Sequence, residues 1–173
     1  MKLDARKIVY IGLFVAISIV LKNVLSFYPV PTIRISFGDI PIMLSGMMFG
    51  PVLGAIAGAL SDVLGIVMFP APTGATFFPG FTLSKILVGA IPALIYRYSK
   101  GNSIVRIAVA VVVTEIVCSL LLDTLWLSMM YSTGMLALLP GRVLTRVIMM
   151  IIEVPILYVL LERVVRTSSV RGA

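Results

Sequence analysis

The sequence predicts an all-α integral membrane protein, six transmembrane helices in one compact bundle over residues 1–173, with both termini cytoplasmic. Three observations carry this. First, 60% of the 173 residues are hydrophobic and 12% charged, with a mean hydropathy of +1.15. A soluble domain of this size cannot cover so much apolar surface, so lipid is the solvent for most of the chain. Second, apolar runs alternate with Pro, Gly and charge clusters, as successive spans do. A span takes about 20 residues, so the length admits about five or six of them and no soluble catalytic domain. Third, the basic residues are distributed unevenly along the chain, in a way that orients the bundle.

The elements follow in order. MKLDARK and the apolar run after it imitate a secretory signal, but no small-residue cleavage site precedes KNVLSFYP. The segment therefore reads as an uncleaved first helix, about 8–27, closed by Tyr28, Pro29 and Pro31. A short second helix covers about 39–49, and FGP at 49–51 turns the chain into a third, about 52–69. PAPTGATFFPG reads as a loop before a fourth helix, about 81–97. The polar RYSKGNSIVR leads into a fifth, about 104–127. LSMMYSTGMLALLPG contains a further loop, and a sixth helix runs over about 141–162.

With six spans, both tails and the connection between helices four and five share the cytoplasmic side, where basic residues concentrate. Lys2, Arg6, Lys7, Arg97, Lys100, Arg106, Arg163, Arg166 and Arg171 fall there, nine of fourteen. Lys22, Arg34, Lys85, Arg142 and Arg146 fall in the outer half, against the bias. A concave anion site on the outer face is the simplest use for them. No basic stripe or RNA-binding motif exists, which argues against a nucleic-acid partner despite the net charge of +7.

The outer connections, 28–38, 70–80 and 128–140, are the longer and more aromatic ones. In ATFFPGFTLSK, Gly74, Pro79 and Gly80 make turns, Phe77, Phe78 and Phe81 give flat apolar faces, and Thr82, Ser84 and Lys85 enter the next helix. Two readings stand: an interfacial aromatic belt with a helix start, or rings beside a cation, suited to a flat, negatively charged heterocycle. Trp126 carries the same pair of readings, membrane anchor or stacking plate.

Asp39, Asp62, Glu115, Asp123 and Glu153 lie in or at the ends of spans, where an isolated charge costs about 2.5–3.5 kcal/mol. Some must pair with the misplaced cations. Asp39, Asp123 and Arg142 map to outer helix ends and suit a polar ring around a pocket mouth, whereas Asp62, Glu115 and Glu153 lie deeper. Arg142 and Arg146 are four apart and share a helix face. Their donor forks match carboxylates, either those of a ligand or those of Asp123 or Glu115.

Gly50, Gly54 and Gly58, with Ala55 and Ala59, form a small-residue ladder that suits close packing within the bundle. Gly12 and Ala16 form a similar patch on the first helix, open to another subunit. The single cysteine, Cys118, sits in an apolar run and reads as a buried thiol. With no histidine, His-ligated metal, haem and a Ser-His dyad are excluded. No GxxxxGK[ST] motif is present, so the chain does not itself hydrolyse ATP.

FGDIPIMLSGMMFGPVLGAIAGALSDVLG at 37–65, FFPGFTLS at 77–84 and DTLWLSMMY at 123–131 resemble the folate-specific S component of energy-coupling-factor transporters. FGDIP…FGPVLGA…SD is shared across S components for several vitamins; FFPGFTLS with TLWLS resembles the folate branch. The resemblance implies a non-catalytic, multi-pass subunit of a bacterial plasma membrane that captures a vitamin from outside. It further implies a transmembrane coupling subunit and two cytoplasmic ATPases as partners. It also implies a docking patch of Ala-x-x-x-Ala type on the first helix, here Gly12 and Ala16, and a toppling of the loaded subunit in the membrane.

No cofactor is implied beyond the bound vitamin. Folate has a flat pterin, a benzoyl ring and two carboxylates. On this resemblance Phe77, Phe78, Phe81 and Trp126 stack, Asp39 or Asp123 accepts from the pterin N–H edge, and Ser84 lies alongside. Arg34, Lys85, Arg142 and Arg146 are the candidates for neutralising the carboxylates. Riboflavin, thiamine or pantothenate are the alternative ligands. In another class stands an ion-coupled secondary carrier with Asp62, Glu115 and Glu153 as its relay, although the chain lacks the inverted repeats common in carriers.

Overall fold

The computed structural model describes residues 5–30, 33–69, 77–131 and 134–170. In chain order they form α1 (Ala5–Asn23), β1 (Phe27–Val30), β2 (Ile33–Ile35), α2 (Asp39–Phe49), α3 (Pro51–Met68), α4 (Pro79–Tyr98) and α5 (Ser103–Thr114). A π-helical segment (Glu115–Leu122), α6 (Asp123–Tyr131) and α7 (Met135–Val170) complete the chain. Four stretches, Pro51–Met68, Pro79–Tyr98, Ser103–Met130 and Leu139–Arg163, are long and apolar enough to cross a bilayer, and α2 is a shorter apolar helix.

Each predicted helix has a counterpart, with shifted ends. α1 stops at Asn23, whose Nδ2 donates to the Ile19 carbonyl at 3.0 Å and so satisfies a carbonyl of the last turn. The expected outer loop contains two strands instead, paired antiparallel with Phe27 opposite Ile35 and Val30 opposite Ile33. β-branched and aromatic residues favour that geometry, and pairing satisfies backbone groups that lipid cannot. Pro29 is tolerated because a two-stranded ribbon consists of edge strands. At the other end of the chain α7 begins six residues before the expected 141, absorbing Pro140, and continues past 162. Residues 70–76, including Gly74 of the predicted aromatic loop, lie outside the described residues, as do Lys2 and Arg171.

The expected fifth helix continues without a break from α5 through the π-helical segment into α6. Around the π segment its buried positions are Thr114, Glu115, Cys118, Ser119, Asp123 and Thr124. At 3.6 residues per turn, the stripe through Glu115 and Ser119 would drift away before Asp123 and Thr124. The wider π turn holds them on one inward face.

The bundle is inverted relative to a water-soluble protein. Val9, Leu13, Val20, Leu144, Val147 and Ile151 are exposed, whereas Asp62, Glu115, Thr124 and Glu153 are buried. Its main core joins Ile40, Ile42, Met43, Leu44, Val88, Ile107, Val111, Cys118, Leu157 and Leu161. A second cluster seats α1 on α3 through Ile11, Val15, Ile19, Leu53 and Ala57. Cys118 is a buried free thiol, as its apolar surroundings suggested.

Helices α2, α3 and α4 meet backbone to backbone. A Cβ at Gly46 or Gly54 would collide with the Gly89 carbonyl, and one at Gly58 with the Lys85 carbonyl. The ladder is therefore Gly46, Gly54 and Gly58 against α4. Gly50 belongs to the turn between α2 and α3, at φ +100 with open space around it. Gly54→Ala is expected to destabilise the detergent-solubilised protein by about 1–3 kcal/mol through overpacking. Gly12→Ala, with nothing within 4 Å, is expected not to lower stability; thermal unfolding of both variants checks the contrast.

Candidate functional site

Successive helices run in alternating directions, so the end of α1, the start of α2, the end of α3, the start of α4, the end of α6 and the start of α7 share one end of the bundle. Four of the five misplaced cations are on these segments, and each of the four meets a carboxylate. Lys22 pairs with Asp62 at 2.9 Å, and Thr82 donates to the other oxygen of Asp62, also at 2.9 Å. Lys85 donates to Asp39 at 2.5 Å. Arg146 pairs with Glu115 at 3.1 Å. Arg142 stands 4.0 Å from Asp123 and donates to the Ser119 carbonyl at 2.8 Å. The side chain of Arg34, whose backbone lies in β2, falls outside the described residues.

The rings sit beside these pairs. Phe78 contacts Phe81 and Trp126, with centroids 5.8 Å apart in both cases. Trp126 donates from Nε1 to Ser84 Oγ at 3.2 Å, fixing the indole against α4. Gly80 makes this closeness possible, since a Cβ there would run into Phe78 and Trp126. Phe77 differs: half-exposed, it takes no part in these ring contacts.

The structure therefore brings together Asp39, Phe78, Phe81, Ser84, Lys85, Asp123, Trp126, Arg142 and Arg146. Gly12 and Ala16 lie elsewhere, on the exposed face of α1. Sequence reasoning did not join Lys22 to Asp62 and Thr82, although Lys22 stood out as a misplaced cation. Glu115 and Asp62 prove to be internally paired. The polar capacity of Thr124 was missed because only the π turn aligns it with Glu115; that of Ser119, one helical turn after Glu115, was missed as well.

Several buried polar atoms between the π segment, α6 and α7 hold no hydrogen bond within the chain: Glu115 Oε1, Ser119 Oγ, Asp123 Oδ1, Thr124 Oγ1, Arg142 Nε and both oxygens of Glu153. Buried polar groups are normally satisfied, so their concentration here gives this end unspent capacity for a polar guest. A shallow hollow over Ala5, Arg6, Val9 and Tyr10 lies at the opposite end of α1 and borders none of these groups.

The family model described as ECF transporter, substrate-specific component, matches residues 6–161. The chain is 38% identical over 150 residues to the folate transporter FolT of Clostridium novyi, covering 87% of this chain and 84% of that protein. It is 30% identical over 175 residues to the FolT of Leuconostoc mesenteroides subsp. mesenteroides, covering 98% and 92%. Among solved structures, a crystal structure of FolT bound with folic acid superposes with a TM-score of 0.77 at 33% identity, over 90% of this chain and 92% of that one. The S component of a bacterial ECF transporter gives 0.68 at 21% identity, over 94% and 96%, a likeness of fold.

The ion pairs make a stability prediction independent of any ligand. Arg146→Met leaves Glu115, which has no exposed surface, as an uncompensated buried charge, at an expected cost of about 3–5 kcal/mol. Adding Glu115→Gln to that variant is expected to recover most of the loss, as read by thermal unfolding without ligand. A double variant no more stable than the single one would contradict the pairing.

Proposed function

The chain belongs to the family of ECF transporter substrate-specific components, and on that premise we propose that it is the folate-binding subunit of such a transporter. In this reading it lies in a bacterial plasma membrane as one domain of six spans, with α1 and the short α2 as the two beyond the four long ones. Its termini face the cytoplasm, so the end bearing the rings and ion pairs opens outward. It carries no catalytic role; a transmembrane coupling subunit and two cytoplasmic ATPases supply the power stroke, and α1 presents Gly12 and Ala16 to the coupling subunit.

One observation carries the choice of ligand: likeness to folate transporters runs through nearly the whole chain, and the relative bound to folic acid shares its fold. The local chemistry agrees with it. Phe78, Phe81 and Trp126 offer the flat faces a pterin and a benzoyl ring need, while half-exposed Phe77 is left as a rim residue. Asp123, with Oδ1 free of any partner, is the better placed acceptor for the pterin N–H edge; Asp39 is held by Lys85. Ser84 orients Trp126. Arg142, tied to Asp123 only loosely, and Arg146 on the same helix face suit the ligand carboxylates, with Lys85 and Arg34 as the remaining cations.

Stacking on an aromatic side chain is worth about 1–3 kcal/mol per base, so Trp126→Ala is expected to weaken folic acid binding by about 5- to 150-fold. Alanine at Arg34, Lys85, Arg142 and Arg146 in turn is expected to weaken it at one position or more. Calorimetry on the purified protein checks both. Unchanged affinity in all five variants, or preference for riboflavin, thiamine or pantothenate over folic acid, would overturn the reading.

A further inference from the structure

One buried side chain takes no part in the pairing at the site end. Glu153 has no exposed surface, and neither of its oxygens is hydrogen-bonded. Lys22, Lys85, Arg142 and Arg146 each lie within 4.0 Å of another carboxylate, Asp62, Asp39, Asp123 or Glu115, and no described cation is that close to Glu153. A buried acceptor normally finds a donor. Among the described residues Glu153 is the one buried carboxyl group with both oxygens free; Glu115 and Asp123 have one each.

Its place is set by α7. Thr145, Met149, Glu153, Leu157 and Leu161, the buried positions of that helix, recur at every fourth residue and face the bundle. Arg146 precedes Glu153 by seven residues, about two turns, and so shares its face to within about 20°. Arg142 stands about one turn further out. At 1.5 Å per residue Glu153 is about 10 Å below Arg146 and about 16 Å below Arg142. From the site end inward, α7 thus presents two arginines and then an unpartnered carboxyl group bracketed by buried Met149 and Leu157.

Folate carries its groups in the same order. Its carboxylates lie at one end, and at the other the pterin holds N3–H and a 2-amino N–H side by side, a parallel pair of donors like the fork of an arginine. A carboxyl group with both oxygens free can accept such a pair. Asp123, the better placed carboxylate at the level of the rings, has one free oxygen and Arg142 beside the other, so it can hold one N–H but not the pair. We infer, resting on the folate reading above, that Glu153 receives the paired donors of the pterin and thereby selects a 2-amino heterocycle. It sets the depth and orientation of the ring, with the ligand carboxylates directed to Arg142 and Arg146 and a single N–H left to Asp123.

Glu153→Gln tests this, because glutamine keeps the shape and exchanges one acceptor for a donor. Calorimetry on the full-length protein compares folic acid with its analogue bearing oxygen in place of the 2-amino group. The wild type is expected to favour folic acid, since the analogue sets oxygen against oxygen. Glu153→Gln is expected to weaken folic acid binding by about 5- to 150-fold, the effect of a mismatched buried partner, and to move the preference towards the analogue, whose 2-oxo group accepts from the new amide. Glu153→Asp, which keeps two acceptors, is expected to keep the wild-type preference. Thermal unfolding without ligand is expected to be no lower in Glu153→Gln; a lowered unfolding temperature with an unaltered ligand ratio marks a structural role and overturns the inference. A wild type indifferent to the 2-amino group, or a ratio altered by Asp123→Asn in place of Glu153→Gln, overturns it too and leaves the folate reading intact. A wild type that binds neither compound overturns the folate reading, and the inference with it.

Discussion

A charge inside this bundle has no water to fall back on, and the placement of opposite charges follows from that constraint. Lys22 with Asp62 joins α1 to α3, Lys85 with Asp39 joins α4 to α2, and Arg146 with Glu115 and Arg142 with Asp123 join α7 to the π segment and α6. Every pair bridges two helices at the same end of the molecule. Buried pairs of this kind contribute little net stability, since desolvation offsets most of their attraction. Their effect is to fix which helix faces meet, and they do so where the chain also gathers its rings.

The remainder of the bundle uses a different adhesive. α2, α3 and α4 approach through Gly46, Gly54, Gly58 and Gly89, because in lipid close backbone contact replaces the hydrophobic effect as the source of helix association. The two devices occupy different depths. Glycines run down α3 and α4 as a rigid seam, whereas the ion pairs cap that seam at one end, with Trp126 tied across to Ser84 on α4. An end built this way joins a rigid glycine seam to side chains held by ion pairs. In the proposed folate-binding role, that difference lets a charged ligand be admitted without disturbing the helix packing.

Much of this was legible in the sequence, for physical reasons that apply residue by residue. Lys22, Lys85, Arg142 and Arg146 stood out because they violate the charge bias of a membrane chain, and all four prove to be paired inward. FFPGF signalled a ring cluster, and Phe78, Phe81 and Trp126 do meet. Phe77 offers the same flat apolar face in the sequence, and in the structure it stays half-exposed. The ladder was read one glycine out of place, because Gly50 serves a turn whose positive φ a sequence does not display. The π turn and the two-stranded ribbon were also beyond reach. Both depend on which distant backbone and side-chain groups need satisfying, and local propensity records neither. Partner choice among the ions had the same limit: the sequence required that Glu115 find a cation and left Arg146 and Arg142 equally eligible.

Trp126 is the sole tryptophan, and its indole forms one wall of the ring cluster, so its emission reports directly on the central claim. Titrating the purified protein with folic acid, corrected for ligand absorption, is predicted to quench Trp126 in a saturable 1:1 fashion, with the same Kd as calorimetry. Tight binding that leaves the emission unchanged at saturation would contradict the account, because the vitamin would then be seated away from the rings and the charges beside them.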